Sequence, residues 1–161
     1  MPYMLASDTI SGTEGVVTIK VGSETHVAAY VKTMEATFEK TKNEIKVLGR
    51  RAAQQKAGGW SGSGSMTIYY VTSLFRNMFL KYAKEGIDTY FDMTIENDDA
   101  ASTIGKQVVV LKRCNLDSGL LAKLDIDATE LDEDLDFTFE DFDISSTFTD
   151  PELQNTTPVT P

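Results

Sequence analysis

Much of the chain alternates between apolar and polar residues with the period of two that is typical of a half-buried β-strand. The segment YVKTMEATFEK alternates most clearly. One face would carry Tyr30, Met34, Ala36 and Phe38, and the other Thr33, Glu35, Thr37 and Glu39. A polar KTKNE segment and then IKVL follow. Together they predict an antiparallel hairpin over about residues 27–49, with its turn in KTKNE.

Five further segments have the composition and spacing of strands. They are SMTIYYV (65–71), TYFDMTIE (89–96), KQVVVLKR (106–113), LLAKLDID (120–127) and LDFTFEDFDI (135–144). The third is continuously apolar at its centre, as expected for a strand that is covered on both faces. In the last, the alternation changes phase near Glu140 and Asp141, which predicts a bulge or bend there.

TSLFRNMFLKYAKEG is the one segment with helical spacing. Its apolar stripe consists of Leu74, Phe75, Met78, Phe79, Tyr82 and Ala83. This period of 3.6 predicts a helix over about 72–85 that lies against a sheet, with Thr72 or Ser73 at its start and Gly86 at its end. The sequence therefore predicts a mainly β fold, an antiparallel β-sandwich or barrel with one flanking α-helix and extended terminal arms. We place the domain at 1–144 and a flexible C-terminal tail at 145–161, because the tail is rich in Thr and Pro.

Length and charge narrow the class of protein. The chain has 161 residues, 41% of them hydrophobic, which suits one globular domain. Its formal net charge of −10 argues against a broad surface that grips nucleic-acid phosphates. The same charge suits a surface that nucleic acid must pass without binding. We find no apolar run of membrane-span length and no secretory pattern at the start, so we expect no membrane anchor.

Few residues suggest catalysis or metal binding, and we predict no catalytic, cofactor or metal site. His26 has no second His or Cys nearby in the sequence, which argues against a metal site. A triad assembled in space stays open, although no nucleophile-elbow pattern supports one. Cys114 lies in an apolar, strand-like run, which favours a buried thiol over a reactive one.

An acidic run from Asp125 to Asp143 contains ten carboxylates and no Lys or Arg. Its Asp132, Asp134 and Asp136 lack the glycine and the bidentate glutamate of a calcium loop. We interpret the run as a solvated polar face. Such a face would suit a water-filled space through which an anion must pass. Alternatively, it would pair with the basic loop of another subunit.

The segment LGRRAAQQKAGGWSGSGS, 48–65, has no evident apolar period. It lacks the terminal Lys of a phosphate-binding loop, and one tryptophan with three cations is a weak signal for single-stranded nucleic acid. We predict a long loop that becomes ordered against a partner, with a flexible, exposed hairpin loop as the alternative.

A resemblance to a known protein family covers about residues 11–144. The stretch EIKVLGRRAAQQKAGGWSGSGSMTIYYVTSLFRNMFLKYAKEGIDTYFDMTIEN closely resembles tail tube proteins of contractile phage tails, in the PBSX-type family of Gram-positive prophages. QVVVLKRCNLDSGLLAKLDID and LDEDLDFTFEDFDI continue the similarity in the same order.

The resemblance implies a structural subunit without enzymatic activity or cofactors. Its fold would be the sandwich or barrel of tail tubes and type VI secretion Hcp proteins. Subunits would form homo-hexameric rings that stack into a hollow tube inside a contractile sheath, with baseplate and tape-measure proteins as further partners. The tube would penetrate the target envelope and conduct DNA without binding it specifically. The protein would be assembled in the bacterial cytoplasm and reside in the virion tail or a phage-tail-like particle.

Within this picture we assign two candidate surfaces. Arg50, Arg51, Lys56 and Trp60 would form the ring-stacking interface, and Glu35, Thr37 and Glu39 would face the lumen or, alternatively, the outer wall. Two other functions stay open. One is the tube of a headless phage-tail-like bacteriocin (R-type) or a related contractile injection system. The other is an isolated β-barrel binding module or enzyme that uses the Asp-rich face.

Overall fold

A computed structural model of the chain describes residues 1–156, which form eight β-strands and one α-helix, preceded by a 3-10 turn at Ala6–Asp8. The strands and the helix have the following bounds: β1 Gly15–Val21, β2 Glu24–Val27, β3 Val31–Ile45, β4 Gln54–Tyr69, α1 Leu74–Glu85, β5 Phe91–Asp98, β6 Lys106–Ser118, β7 Asp132–Phe139 and β8 Asp141–Ser146. The predicted mainly β fold with one helix is confirmed.

The chain divides into two compact units. The first unit contains residues 1–29, 92–111 and the described residues from Phe142 onward. Its strands have the order β2-β1-β5-β6, and β8 also pairs with β6. The antiparallel register places Ile19 opposite Met93, and both side chains are buried.

Segments near both ends of the described chain are tied into the first unit. Tyr3 and Gln154 exchange backbone hydrogen bonds of 3.1 and 2.8 Å, and the Thr149 N–H donates to the carbonyl of Ile104 at 2.8 Å. The predicted domain end at 144 falls inside β8, so the described part of the predicted tail has fixed backbone partners. Residues 157–161 of that tail lie outside the described residues.

The second unit contains residues 30–91 and 112–141. Its sheet has the order β6-β7-β4-β3, and β3 is its open edge within the described chain. Across three strands the register aligns Met34, Met66 and Leu135. The last two are buried, together with Phe137 and with Phe75 of α1, and they form the core of this unit.

Helix α1 begins and ends where the sequence predicts. The Thr72 hydroxyl accepts a hydrogen bond from the Leu74 N–H at 3.3 Å, whereas Ser73, the alternative cap, makes no side-chain cap bond. Gly86 adopts the left-handed conformation (φ 70°) and donates its N–H to the Tyr82 carbonyl. Arg76 ties the helix to β7 through the carboxylate of buried Glu133.

The predicted turn of one hairpin and one predicted strand are wrong. β3 continues through KTKNE to Ile45 and pairs with β4, so the hairpin turns at 46–53 instead. Polar residues do not mark a turn there, because both faces of this part of the hairpin are exposed. LLAKLDID, 120–127, is an irregular segment with a turn, since β6 ends at Ser118 and no strand of the described chain pairs with it. The predicted break near Glu140 is confirmed, because it separates β7 from β8.

Candidate functional site

The segment predicted as a long loop, 48–65, is mostly strand, because β4 begins at Gln54. That prediction is wrong because it overlooked a period of two in which glycine takes the apolar positions. One face of β4 carries Trp60, Gly62, Gly64 and Met66, and the opposite face Ser61, Ser63, Ser65 and Thr67. Counting glycine as an apolar residue would have revealed the strand in the sequence.

The glycines of β4 make room for aromatic rings on the neighbouring strand. Gly62 pairs with Phe139 and Gly64 with Phe137 in the β4–β7 register. A Cβ atom on Gly62 would lie 2.6 Å from Cδ2 of Phe139, and one on Gly64 would lie 2.5 Å from the backbone oxygen of Glu35. Neither approach is tolerable for a carbon atom, so the close packing of this sheet requires glycine at both positions.

Trp60 lies at the end of this aromatic row. Its ring stacks on Phe38 with a centroid separation of 5.0 Å and lies 6.1 Å from Phe139. Phe139 is buried, whereas Trp60 and Phe38 are 39% and 43% exposed. The predicted stacking residue Trp60 therefore belongs first to an intramolecular aromatic cluster, which still offers an apolar surface to solvent.

The pairing of β4 with β7 runs from Tyr69 back to Gly62 and ends there. From Ser61 back to Gln54, strands β3 and β4 continue together as a two-stranded hairpin. We call residues 40–60 the ribbon. Every residue of the ribbon is exposed. Arg50 and Arg51 lie in its turn, whereas Lys56 lies on β4 opposite Asn43. The predicted stacking residues thus share one projecting element, although they do not form one compact cluster.

The ribbon is basic in an otherwise acidic protein. It contains a single carboxylate, Glu44, and six cations, namely Lys40, Lys42, Lys46, Arg50, Arg51 and Lys56. Its turn also exposes Val47 and Leu48, the second of them completely. The ribbon therefore combines positive charge with aliphatic surface, which is a combination suited to a protein partner.

Glu35, Thr37 and Glu39 lie on the face of the second unit's sheet that is opposite the buried side chains. Across the strands, Glu35 aligns with Ser65 and Asp136. Over residues 33–39 of β3, 61–67 of β4 and 134–138 of β7, every side chain on this side has a hydroxyl or carboxyl group, and we call this stretch the polar face. Its members are Thr33, Glu35, Thr37, Glu39, Ser61, Ser63, Ser65, Thr67, Asp134, Asp136 and Thr138.

The polar face contains a shallow groove of about 420 Å³ lined by Glu35, Ser63, Asp117 and Asp136, among others. Within the face, the Thr67 hydroxyl donates to Asp134 Oδ1 at 2.6 Å. Alternate residues of β7 such as Asp134 and Asp136 are about 6.5–7 Å apart along the strand. No cluster of three or more metal-binding side chains occurs among residues 1–156.

Ion pairs fix the end of β7 that lies beside the polar face. The Lys32 ammonium lies 3.0 Å from Asp132 Oδ2, and Lys123 lies 3.6 Å from the other carboxylate oxygen. The hydrogen bond and positive charge of Lys32, supported by Lys123, lower the pKa of the Asp132 carboxyl below its usual value. The same pairing raises the pKa of Lys32.

The remaining chemical candidates do not belong to these surfaces. His26 lies on β2 with Nε2 3.5 Å from a carboxylate oxygen of Glu24. Cys114 is buried in β6, as predicted. Within the described part of the chain, no helix has both the length and the apolar character needed to cross a membrane.

Known proteins resemble this chain over most of its length. Residues 2–145 match the family described as phage tail tube protein. The chain is 43% identical over 130 residues to the uncharacterized protein YqbM of Bacillus subtilis (strain 168), covering 81% of this chain and 86% of that protein. It is 41% identical, with the same coverage, to the phage-like element PBSX protein XkdM of the same organism.

A solved structure agrees at the level of the fold. The chain superposes with a TM-score of 0.65 and 11% identity on a chain of the sheath–tube complex of an extracellular contractile injection system, covering 86% of this chain and 93% of that one. The resemblance to PBSX-type tail tube proteins is confirmed by the family match and by relatives above 40% identity. The chain therefore belongs to the phage tail tube protein family.

Proposed function

We propose that this chain is the repeating subunit of the inner tube of a contractile tail, in which six copies form a ring and the rings stack into a hollow tube. The observation that carries the proposal is the two-sided sheet of the second unit. One side packs a core around Met66 and Phe137. The other side is the polar face, whose charged side chains are carboxylates. Such a sheet can serve as the wall of a water-filled channel.

The polar face suits a lumen through which DNA must move. Its carboxylates, including Glu35, Glu39 and Asp136, would repel phosphates. Affinity for DNA comes mainly from Lys and Arg that neutralise phosphates, and the sequence places no such cation on this face between Glu35 and Glu39. DNA would therefore pass along the wall without binding. We retain Glu35, Thr37 and Glu39 as the lumen-facing residues.

Ring closure would use the open edge of the second unit's sheet. β3 is 15 residues long, and within the described chain it pairs with β4 alone. A long, unpaired edge strand is a template for pairing with another chain. If a neighbouring copy pairs along this edge, the sheets of six copies join into one barrel, and the exposed backbone groups of β3 are satisfied.

Ring stacking would use the ribbon, with Arg50, Arg51 and Lys56 as its principal charged residues and Trp60 at its base. Every residue of the ribbon is exposed, and the ribbon projects beyond the paired sheet and carries charge opposite to that of the rest of the chain. Electrostatic complementarity of this kind sets the orientation and register of an association.

The role of the subunit is mechanical, and no bond is made or broken by it. A sheath protein would surround the tube, with baseplate and tape-measure proteins at its ends. The particle would be a virion tail assembled in the bacterial cytoplasm. A headless particle of the bacteriocin or injection-system kind is the alternative, since a sheath–tube complex of that kind shares the fold. Capsid and terminase genes beside this one would favour the phage.

Electron microscopy of the purified protein tests the proposal. We expect rings or tubes with a central hole, whereas a monomer at every concentration and salt would contradict it. The variant with Arg50→Glu and Arg51→Glu should keep the fold and lose long tubes. The variant with Lys81→Glu and Lys84→Glu is the matched control, because it changes the charge equally at exposed positions of α1. Normal elongation of the first variant would show that the ribbon is not the stacking element.

A further inference from the structure

The connection between β6 and β7, residues 119–131, exposes aliphatic side chains that nothing in the described part of the subunit covers. Leu124 and Ile126 are 98% and 99% exposed, and Leu121 is 70% exposed. Scattered exposed leucines are common, but three large aliphatic side chains within six residues form an apolar patch. We call residues 119–131 the acceptor segment.

Specific contacts hold the acceptor segment in place. Gly119, at its start, packs so closely against Leu135 and Phe79 that a Cβ atom would lie 2.6 Å from each side chain. The Asp127 N–H donates to Asp125 Oδ1 at 3.0 Å, and the Ala128 N–H donates to the Asp125 carbonyl at 3.4 Å. The apolar side chains are therefore presented by an anchored turn.

The charge of the acceptor segment is negative on its exposed side. Its one cation, Lys123, is directed at Asp132, where its ammonium lies 3.3 Å from the backbone oxygen and 3.6 Å from the carboxylate. Three carboxylates, those of Asp125, Asp127 and Glu130, are exposed. The segment thus offers a surface in which aliphatic side chains alternate with negative charges.

The turn of the ribbon has the complementary chemistry. It exposes Leu48 completely and Val47 partly, and it carries Lys46, Arg50 and Arg51. If these two elements met, aliphatic surface would face aliphatic surface and cations would face carboxylates. Leu48 and Leu124 are both almost fully exposed in one copy, so residues 1–156 leave both side chains uncovered.

We propose that the acceptor segment of one copy receives the ribbon turn of another copy in the adjacent ring, with Leu124 and Ile126 against Leu48, and Asp125 and Asp127 against Arg50 and Arg51. This inference rests on the proposed stacking role of the ribbon and names the surface on which the ribbon docks. It also gives a function to the strand-like pattern of LLAKLDID, whose apolar positions would be buried only after assembly.

Charge exchange tests the pairing by electron microscopy and sedimentation of tubes. We expect Asp125→Lys with Asp127→Lys to raise the protein concentration needed for tube growth by about tenfold or more, because like charges across an interface cost more than about 1.4 kcal/mol. Arg50→Glu with Arg51→Glu should do the same. The variant that combines all four substitutions should form tubes again, because the two charges are only exchanged.

The control for this rescue combines Arg50→Glu and Arg51→Glu with Glu35→Lys and Glu39→Lys. This variant has the same net charge as the rescued variant, but its new lysines lie on the polar face. It should not form tubes. If the ribbon variant fails to elongate while the Asp125 and Asp127 variant elongates normally, the acceptor assignment is wrong and the ribbon role stands. If the ribbon variant itself elongates, the stacking role fails as well.

Cross-linking tests the apolar part directly. A Leu48→Cys protein is mixed with a Leu124→Cys protein before assembly, and buried Cys114 is left in place. A disulfide that joins one copy of each can form only between subunits, and we expect it in tubes and not in dissociated subunits. Leu80→Cys, at an exposed position of α1, replaces Leu124→Cys in the control. Cross-linking no greater than in this control would overturn the proposal, whether the segment instead binds sheath protein or stays in solvent.

Discussion

Gly62 of β4 lies directly opposite Phe139 of β7, and the phenyl ring occupies the space that any side chain on Gly62 would need. We expect Gly62→Ala to lower the free energy of unfolding by about 1–3 kcal/mol, the usual cost of overpacking a core. Urea unfolding followed by Trp60 fluorescence measures this change. Gly12→Ala is the matched control, because a Cβ atom there meets nothing within 4 Å. Equal stability of the two variants would contradict the packing argument.

Arg76 and Glu133 form an ion pair that is shielded from water, with side-chain exposures of 17% and 1%. We expect Glu133→Ala to destabilise the protein by about 3 kcal/mol, because it leaves the guanidinium without its carboxylate in a largely desolvated site. Thermal and urea unfolding measure the loss.

The exposed pair of Arg113 and Glu140 provides the comparison for this prediction. Arg113 Nε lies 2.7 Å from Glu140 Oε2, but both side chains are more than half exposed. Glu140→Ala should change stability much less, because solvent screens such pairs. A larger effect for Glu140→Ala than for Glu133→Ala would show that burial does not determine the strength of these pairs.

Asp132 should make stability depend on pH in the acid range. Its carboxylate is held by Lys32, so its pKa in the folded protein lies below its ordinary value of 3.8. The stabilising contribution is therefore present above that value and is lost as the pH falls through the folded pKa. Asp132→Asn should be less stable than the parent at pH 7, and the difference should disappear as the pH falls below the folded pKa.

Urea unfolding at a series of pH values measures this convergence. Lys32→Met should behave in the same way, and the double variant should lose no more than either single variant if the two side chains act as a pair. High salt should weaken the effect, since both side chains are partly exposed to solvent. A difference that stays constant down to the acid limit would assign the effect of Asp132→Asn to packing.

The polar face can be made to bind DNA by reversing its charge. We expect tubes with Glu35→Lys and Glu39→Lys to retain short DNA duplexes at low salt and to release them as salt is added, because binding by Lys releases counterions. Fluorescence anisotropy of labelled duplexes measures the retention. Tubes with Glu14→Lys and Glu24→Lys, which carry the same net charge at exposed positions of the first unit, are the control. Equal binding by both would place Glu35 and Glu39 away from the lumen.

The sequence by itself determined the elements whose pattern is local. The stripe from Leu74 to Ala83 predicts α1, and the alternation of TYFDMTIE predicts β5. That of LDFTFEDFDI predicts β7 and β8 with the break between them at Glu140. The polar side chains of β3 also share a face as expected. These predictions succeed because the periods of 3.6 and 2 depend on neighbouring residues alone. The resemblance over about 11–144 supplied the family, which the patterns do not contain.

The tertiary structure alone decided which segments find a strand partner. The Gly-Ser run after Trp60 becomes part of β4 because Phe137 and Phe139 on the adjacent strand fill the space that its glycines leave. LLAKLDID alternates as well as any strand of the chain, yet it stays irregular because it pairs with no strand of residues 1–156. A strand is completed by hydrogen bonds to another segment, and its own residues do not specify that partner.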